Sequence, residues 1–349
     1  DTATTEIYTL SLHDALPIST GREMMRKLLF KDSLKLELNV IGYHDQGESI
    51  IFFIKTDGYV AYTGLVDCYK TEDQNAVKSV LEEEQVKRID FVCWTHPHDD
   101  HTVGLDEVWN QYCTEETCFC CTDILPEDSE LYSEEAMSVF ENIKDIHISR
   151  KRKKVRIMYL KDSTLAERLQ CVGNTNKYEF KIQSFAPNSA ILGERFIRDK
   201  EEKGNAYSIG LFLFIGEYSI MLAGDVEDPT IRRIADWNLE YPVDYVKIPH
   251  HGSKSASFLT DRMSSLDILP PCIASTTLFR IHKLPQEEIL DKYFDWGCNE
   301  IYATGNINET KAGIGYGIIK TTFDILEKNE YIETELIGDA VAYEKEIVG

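Results

Sequence analysis

The chain reads as a soluble α/β domain built in layers, and three features of the sequence lead there. Leu34, Leu36, Leu38 and Val40 alternate with Lys35, Glu37 and Asn39, the period-two pattern of a half-buried strand. Apolar runs of strand length then follow in the order strand, turn, strand, helix, strand, which is how a mixed sheet acquires helices on its face. Finally, a chain of 349 residues, 43% of them apolar, can bury roughly 75% of the surface its unfolded form exposes. Neither a disulfide nor a metal is needed merely to fold.

The elements follow in order. Ile50 to Ile54 is a second strand, set off by the Gly47-Glu48-Ser49 turn, and Tyr59 to Val66 a third, ending in Asp67-Cys68. Thr71-Glu72-Asp73 caps a helix running to about Val86. Ile89 to Trp94 is a short apolar strand that stops at Thr95-His96. From about 110 to 180 charge becomes dense, periodicity breaks, and Cys113, Cys118, Cys120 and Cys121 gather, so this stretch is read as an insertion or an elaborated helical region. Phe180 to Phe185 resumes the strand pattern and closes at Ala186-Pro187. Ile209 to Ile215 and Tyr218 to Ala223 form a hairpin about Gly216-Glu217, ending at Gly224-Asp225. Pro229 opens a helix to about Trp237, and Val243 to Ile248 is a strand ending at Pro249-His250-His251.

Charge and cysteine content narrow the setting. Against 37 Lys and Arg stand 60 Asp and Glu, a formal charge of -23, so the average surface repels phosphate backbones and anionic membranes. The one concentrated positive run is Arg150, Lys151, Arg152, Lys153 and Lys154, which is either a guide for a phosphodiester or nucleic-acid substrate or a solvated edge. No window approaches 18 uninterrupted apolar residues, so no membrane partner is expected. Nine cysteines without regular spacing argue against a secreted disulfide framework and for a reducing compartment, the cytoplasm by default. The cluster from Cys113 to Cys121 lacks the spacing of paired zinc knuckles, and buried or free thiols are the favoured reading.

Asp1 to Ser19 resembles the in-frame translation of a common sequencing-library adapter. It is set aside from fold reasoning as an assembly artefact, and His13 with it. Residues 20–33 are then a lead-in, 34–349 the domain, and Met24 and Met25 candidates for the native start.

The chemistry is concentrated in Thr95-His96-Pro97-His98-Asp99-Asp100-His101, where an apolar strand gives way to a helix. His96 and His98 straddle one residue and can point both imidazoles into one pocket, while Asp100 and His101 turn toward a neighbouring position. Such a set can hold two divalent ions side by side.

This HxHxDH pattern resembles the metallo-β-lactamase superfamily, and the resemblance extends over about residues 34 to 349. It implies a four-layer αβ/βα sandwich. It also implies that Asp67, in Gly64-Leu65-Val66-Asp67-Cys68, orients a ligand without binding metal, and that Asp225, in Leu222-Ala223-Gly224-Asp225, bridges two ions. The last ligand would be His250 or His251, with His250 favoured as the first after its strand. Within the superfamily the chain is most similar to the hydrolase domain of ComEC-type DNA-uptake proteins and their soluble relatives. That similarity rests on Gly47-Glu48-Ser49, Phe185-Ala186-Pro187, Asn205-Ala206-Tyr207-Ser208 and Pro249-His250-His251-Gly252-Ser253, with a looser match at Ile281-His282-Lys283-Leu284-Pro285.

The resemblance implies a hydrolase in which a hydroxide held between two metals attacks a phosphoryl or acyl centre. A phosphodiesterase or nuclease is the first expectation. The alternatives are an acyl hydrolase acting on a lactone, thioester or β-lactam, and a metal-binding sensor without turnover. Zinc is the expected metal and manganese the alternative, because Asn205 stands where many members have a histidine and leaves the first site to His96, His98 and Asp225. Asp100 is both ligand and catalytic residue. His251, Ser253 and His282 are candidates for substrate contact or leaving-group protonation, against plainer roles as ligand support, helix cap and loop residue.

Overall fold

A computed structural model describes residues 25–123, 132–148, 155–198, 204–234, 242–279, 282–306, 314–327 and 332–345. The adapter-like segment and the basic run Arg150, Lys151, Arg152, Lys153 and Lys154 lie outside the described residues. The first part of the chain comprises β1 (Lys27–Leu29), β2 (Leu34–Tyr43), β3 (Glu48–Thr56), β4 (Tyr59–Val66), α1 (Ala76–Glu83), β5 (Phe91–Cys93) and α2 (Leu105–Tyr112). Next come β6 (Cys118–Cys121), α3 (Glu134–Ile148), β7 (Arg156–Tyr159), β8 (Thr164–Val172), β9 (Lys177–Ala186) and α4 (Ser189–Arg198). The hairpin β10 (Gly210–Ile215) and β11 (Tyr218–Leu222) leads to α5 (Asp228–Ile231), β12 (Tyr245–Lys247), α6 (Phe258–Ser264), β13 (Cys272–Ser275) and α7 (Glu287–Trp296). The chain closes with β14 (Ile301–Ala303), β15 (Tyr316–Asp324), β16 (Ile332–Gly338) and β17 (Val341–Ala342).

These strands make two sheets. One has the order β16-β15-β2-β3-β4-β5-β6-β7 and the other β1-β8-β9-β10-β11-β12-β13-β14-β17. Alternate residues of β2 and β3, among them Leu36, Leu38, Ile50 and Phe52, face Leu211, Leu213, Ile220 and Leu222 of the other sheet in the central core. The opposite face of the first sheet, with Ile51, Phe53, Val92 and Phe119, packs on Val77 and Leu81 of α1, Val108 of α2 and Val139 of α3. The outer face of the second, with Met221, Val246 and Ile273, packs on Ile231 of α5, Leu259 of α6 and Leu290 of α7. Helix, sheet, sheet, helix is therefore the layering, the four-layer αβ/βα sandwich that was expected. Because both faces of each sheet are covered, central strands such as β3 read as unbroken apolar runs rather than clean alternation.

Two parallel runs decide where chemistry can occur. In the first sheet β4, β5, β6 and β7 are parallel, and in the second β11, β12, β13 and β14 are parallel. Parallel strands joined by helices present their carboxyl ends along one edge, where loops are free to carry functional side chains. The residues just past β4, β5, β11, β12 and β13 are Asp67, Thr95-His96, Asp225, His250-His251 and Thr276.

The structure departs from the sequence reading in three elements, one being the helix at Pro229, which ends at Ile231 rather than running to about Trp237. The helix after β4 begins at Ala76, capped by Asn75, whose side chain accepts the Lys78 N–H at 2.9 Å; Thr71 instead accepts from the Gln74 N–H in the preceding turn. The stretch 110–180, read as an insertion, supplies β6 and β7 to one sheet and β8 to the other. Cys118, Cys120 and Cys121 are strand residues and Cys113 follows the end of α2: Cys118 and Cys120 face the central core, Cys113 and Cys121 the helix layer. Cysteine behaves there as a small apolar residue, and among the described residues all nine are free and buried. Among the described residues no helix is long and apolar enough to cross a membrane.

Candidate metal centre

Asp67 follows β4 directly, with a left-handed backbone (φ 56°) and no solvent exposure. One carboxylate oxygen accepts the Thr95 N–H at 2.7 Å; the other accepts the Thr95 hydroxyl at 2.6 Å and lies 2.7 Å from His101 Nδ1. Since the Thr95 hydroxyl is spent on Asp67, its oxygen is the acceptor for His96 Nδ1, 3.0 Å away. One buried carboxylate thus fixes two imidazoles, His101 directly and His96 through a hydroxyl. Both then turn Nε2 inward.

The turn Asp99–His101 winds back from His98, whose carbonyl accepts the His101 N–H at 3.1 Å and the Thr102 hydroxyl at 2.6 Å. It brings His96 Nε2 within 3.0 Å of His98 Nδ1. From the other sheet comes Asp225, held by its own N–H donating to Ser208 Oγ at 2.8 Å. The preceding Gly224 has φ 52°, and a β-carbon there would lie 2.7 Å from the Ile209 carbonyl oxygen, so the close approach of these loops requires glycine. Asp225 Oδ2 lies 3.7 Å from His96 Nε2, and Oδ1 lies 3.3 Å from His101 Nε2 and 3.4 Å from His251 Nε2.

Two donor groups result, each with its atoms within 4.8 Å of one another: His96, His98 and Asp225 in one, Asp100, His101, Asp225 and His251 in the other. His250 belongs to neither, which differs from the expectation that it supplies the last donor. The backbone is left-handed at both residues, φ 47° at His250 and 51° at His251. The second imidazole is the one carried inward, 3.3 Å from His101 Nε2 and 3.4 Å from Asp100 Oδ2. His250 stays at the rim, 20% exposed at its side chain, with Nδ1 3.1 Å from Glu227 and 2.9 Å from Ser255 Oγ, and Nε2 3.8 Å from Asp225 Oδ2. Asn205 donates to Glu227 at 3.4 Å, and its buried Oδ1 has no hydrogen-bond partner.

Protonation follows from burial and neighbours. Burial, reinforced by His101 and His98, holds His96 well below the usual histidine range, and burial lowers His98. Burial opposes charge on His101 and His251 as well, but Asp225 and Asp100 outweigh it: His101 is raised well above the usual value and His251 to about 9. Burial would raise Asp100 and Asp225, yet the facing imidazoles hold both below the usual carboxylate range. Burial raises Asp67 despite His101 beside it.

The donor set fits divalent cations. Imidazole nitrogens and carboxylate oxygens are the ligands such ions take, and Asp225 Oδ1 is buried without a hydrogen-bond partner of ordinary geometry. In a third grouping, Glu48, Asp67 and His101, the carboxylates already serve as hydrogen-bond acceptors behind the donors.

Beside the first group a cavity of about 300 Å³ opens to solvent, lined among the described residues by His98, Asp99, Asp100, Asp45, Leu278 and His282, with others. His282 is exposed on its wall. Ser253 caps the following short turn through the Ser255 N–H at 3.3 Å and is not among those lining residues. Sequence reasoning passed over Thr95, Glu227, Thr276 and the pair Glu48 and Lys247. A visible signal existed for the last: a lysine inside the apolar run Val243 to Ile248 demands a buried partner.

No protein-family model matches the chain, and no curated protein matches its sequence. Similar solved structures include a diphosphatase of the PhnP family, 15% identical over 83% of this chain and 98% of that one, with a TM-score of 0.40. The metallo-beta-lactamase fold protein YhfI from Bacillus subtilis is 11% identical over 76% of this chain and 95% of its own, with a TM-score of 0.41. Zinc-bound PqqB from Methylobacterium extorquens is 11% identical over 76% of this chain and 97% of its own, with a TM-score of 0.40.

Proposed function

We propose that the chain is a metal-dependent hydrolase that holds two divalent ions, zinc or manganese, and cleaves phosphodiesters. The observation that carries this reading is the disposition of Asp225. Its two oxygens face two separate donor groups, so one buried carboxylate can serve both ions. When bound, such a pair supplies Lewis acidity, activating water and stabilising charge at a phosphoryl or acyl centre.

The chain's own residues supply the rest. His96 and His98 would hold one ion with Asp225, and Asp100, His101 and His251 the other with the same carboxylate. Asp67 keeps His96 and His101 in the tautomers that present Nε2. His282, on the cavity wall, meets the substrate or its leaving group, and His250, anchored on Glu227 beside the first group, is the second residue placed to handle a proton. Preference for a phosphodiester over an acyl substrate is supported by the sequence resemblance at Asn205-Ala206-Tyr207-Ser208 and Pro249-His250-His251-Gly252-Ser253.

Elemental analysis of the purified protein, beside hydrolysis of a chromogenic bis-aryl phosphodiester and an acyl-ester panel with zinc or manganese added back, tests the reading. Near two metals per chain with metal-dependent phosphodiester cleavage is the expected result. Turnover of acyl esters alone moves the assignment to that bond, and metal-free protein without turnover under either ion sinks it.

A further inference from the structure

A fully buried ion pair lies behind the metal centre. Glu48, at the start of β3, and Lys247, at the end of β12, come from different sheets, are 1% and 0% exposed, and meet through Oε2 and Nζ. Burying such a pair costs more than apolar residues of like size would, so it is weak evidence for stability alone. Its position suggests another use. The Thr276 hydroxyl donates to Glu48 Oε2 at 2.6 Å, and the oxygen of that hydroxyl lies 2.7 Å from His251 Nδ1, which is itself 3.2 Å from the same carboxylate oxygen.

We propose that Glu48 is the positioning residue for His251, acting through Thr276 and held in place by Lys247. This inference rests on the metal-centre reading above. Its logic is polarity. Beside the Lys247 ammonium, Glu48 is an acceptor only, so Thr276 must donate to it. The threonine oxygen then has only lone pairs to offer His251, whose Nδ1 must carry the hydrogen. Nε2 is left as the atom facing Asp100, His101 and Asp225. The same three-part arrangement, carboxylate to threonine hydroxyl to imidazole Nδ1, runs from Asp67 through Thr95 to His96 on the other side of the centre. Both orienting carboxylates thus come from the first sheet, Asp67 just past the end of β4 and Glu48 at the start of β3, the latter clamped by Lys247 of the second sheet.

Cobalt(II) titration followed by ligand-field absorption tests this without turnover. In Glu48→Gln, where the amide can donate toward Thr276 and reverse the chain of hydrogen bonds, the equivalent bound at the four-donor group weakens about 10- to 100-fold. The other equivalent keeps its affinity. Thr276→Val shows the same selective loss and Thr276→Ser recovers it, a rescue that a purely structural role would not require. That pair also decides the matter if Glu48→Gln fails to fold. Folded Glu48→Gln or Thr276→Val binding both equivalents as tightly as the parent overturns the proposal. Parent protein that takes up no cobalt overturns the metal-centre reading itself, an outcome distinct from loss confined to the variants.

Discussion

Asp67 shows how much one residue decides here. Its two oxygens take a backbone N–H, a hydroxyl and an imidazole nitrogen, so Asp67→Ala frees His96 and His101 together. Metal affinity is expected to fall about 10- to 100-fold, read by competition against a chromophoric chelator, while the circular dichroism of the apo chain stays that of the parent. His96, His98, Asp100 and His101 were legible as candidates from their spacing at the end of an apolar run, whereas Asp67 and Asp225 were named only through the family resemblance. The choice between His250 and His251 was not legible. It depends on two successive left-handed residues that swing the second ring inward, and nothing in Pro-His-His-Gly announces that backbone. Lys247 carried a signal that went unread, since a charge within a buried strand implies a partner that only the fold can name.

At the scale of elements, the turn between β3 and β4 makes a pH prediction. Asp57, left-handed at φ 52°, accepts the backbone N–H groups of Lys31, Asp32 and Ser33, which lower its carboxyl below the usual value. A carboxyl depressed in the folded state stabilises above its unfolded pKa of about 3.9, and the contribution disappears as pH falls through the folded value. Asp57→Asn should therefore flatten the acid side of the stability curve: in thermal melts it is less stable than the parent near neutrality, where the Asp57 contribution is fully present, and the difference closes as pH falls below about 4. On one side of this turn β4 was readable to the residue, while β3, read as Ile50 to Ile54, extends two residues further at each end. The segment Cys118–Cys121 was not, because cysteine signals both a small core residue and a ligand, and only the partner strands β5 and β7 show that it is the former. Asn75 rather than Thr71 starts α1 because both are capping residues, and the competing Thr71 turn is satisfied first.

For the whole molecule the formal charge of -23 sets the terms of encounter. An acidic surface repels an anionic phosphodiester over about a Debye length, roughly 8 Å at physiological salt. The kcat/KM for a small anionic substrate is therefore expected to rise with ionic strength, measured in stopped or steady-state assays from low to moderate salt. A fall instead would mean that local positive charge guides the substrate.

The centre also straddles the sandwich: His96, His98 and His101 belong to one sheet's loops, Asp225 and His251 to the other's. Cation uptake therefore rivets the two halves of the protein at the rim, and any breathing motion that parts them must first break that rivet. Amide hydrogens just inside the rim, Thr95 and Asp225 among them, should exchange with deuterium more slowly once the ions are loaded, while those at the far β16 edge keep their rates. A cation site built in this way would double as a lock on slow, partial opening of the fold.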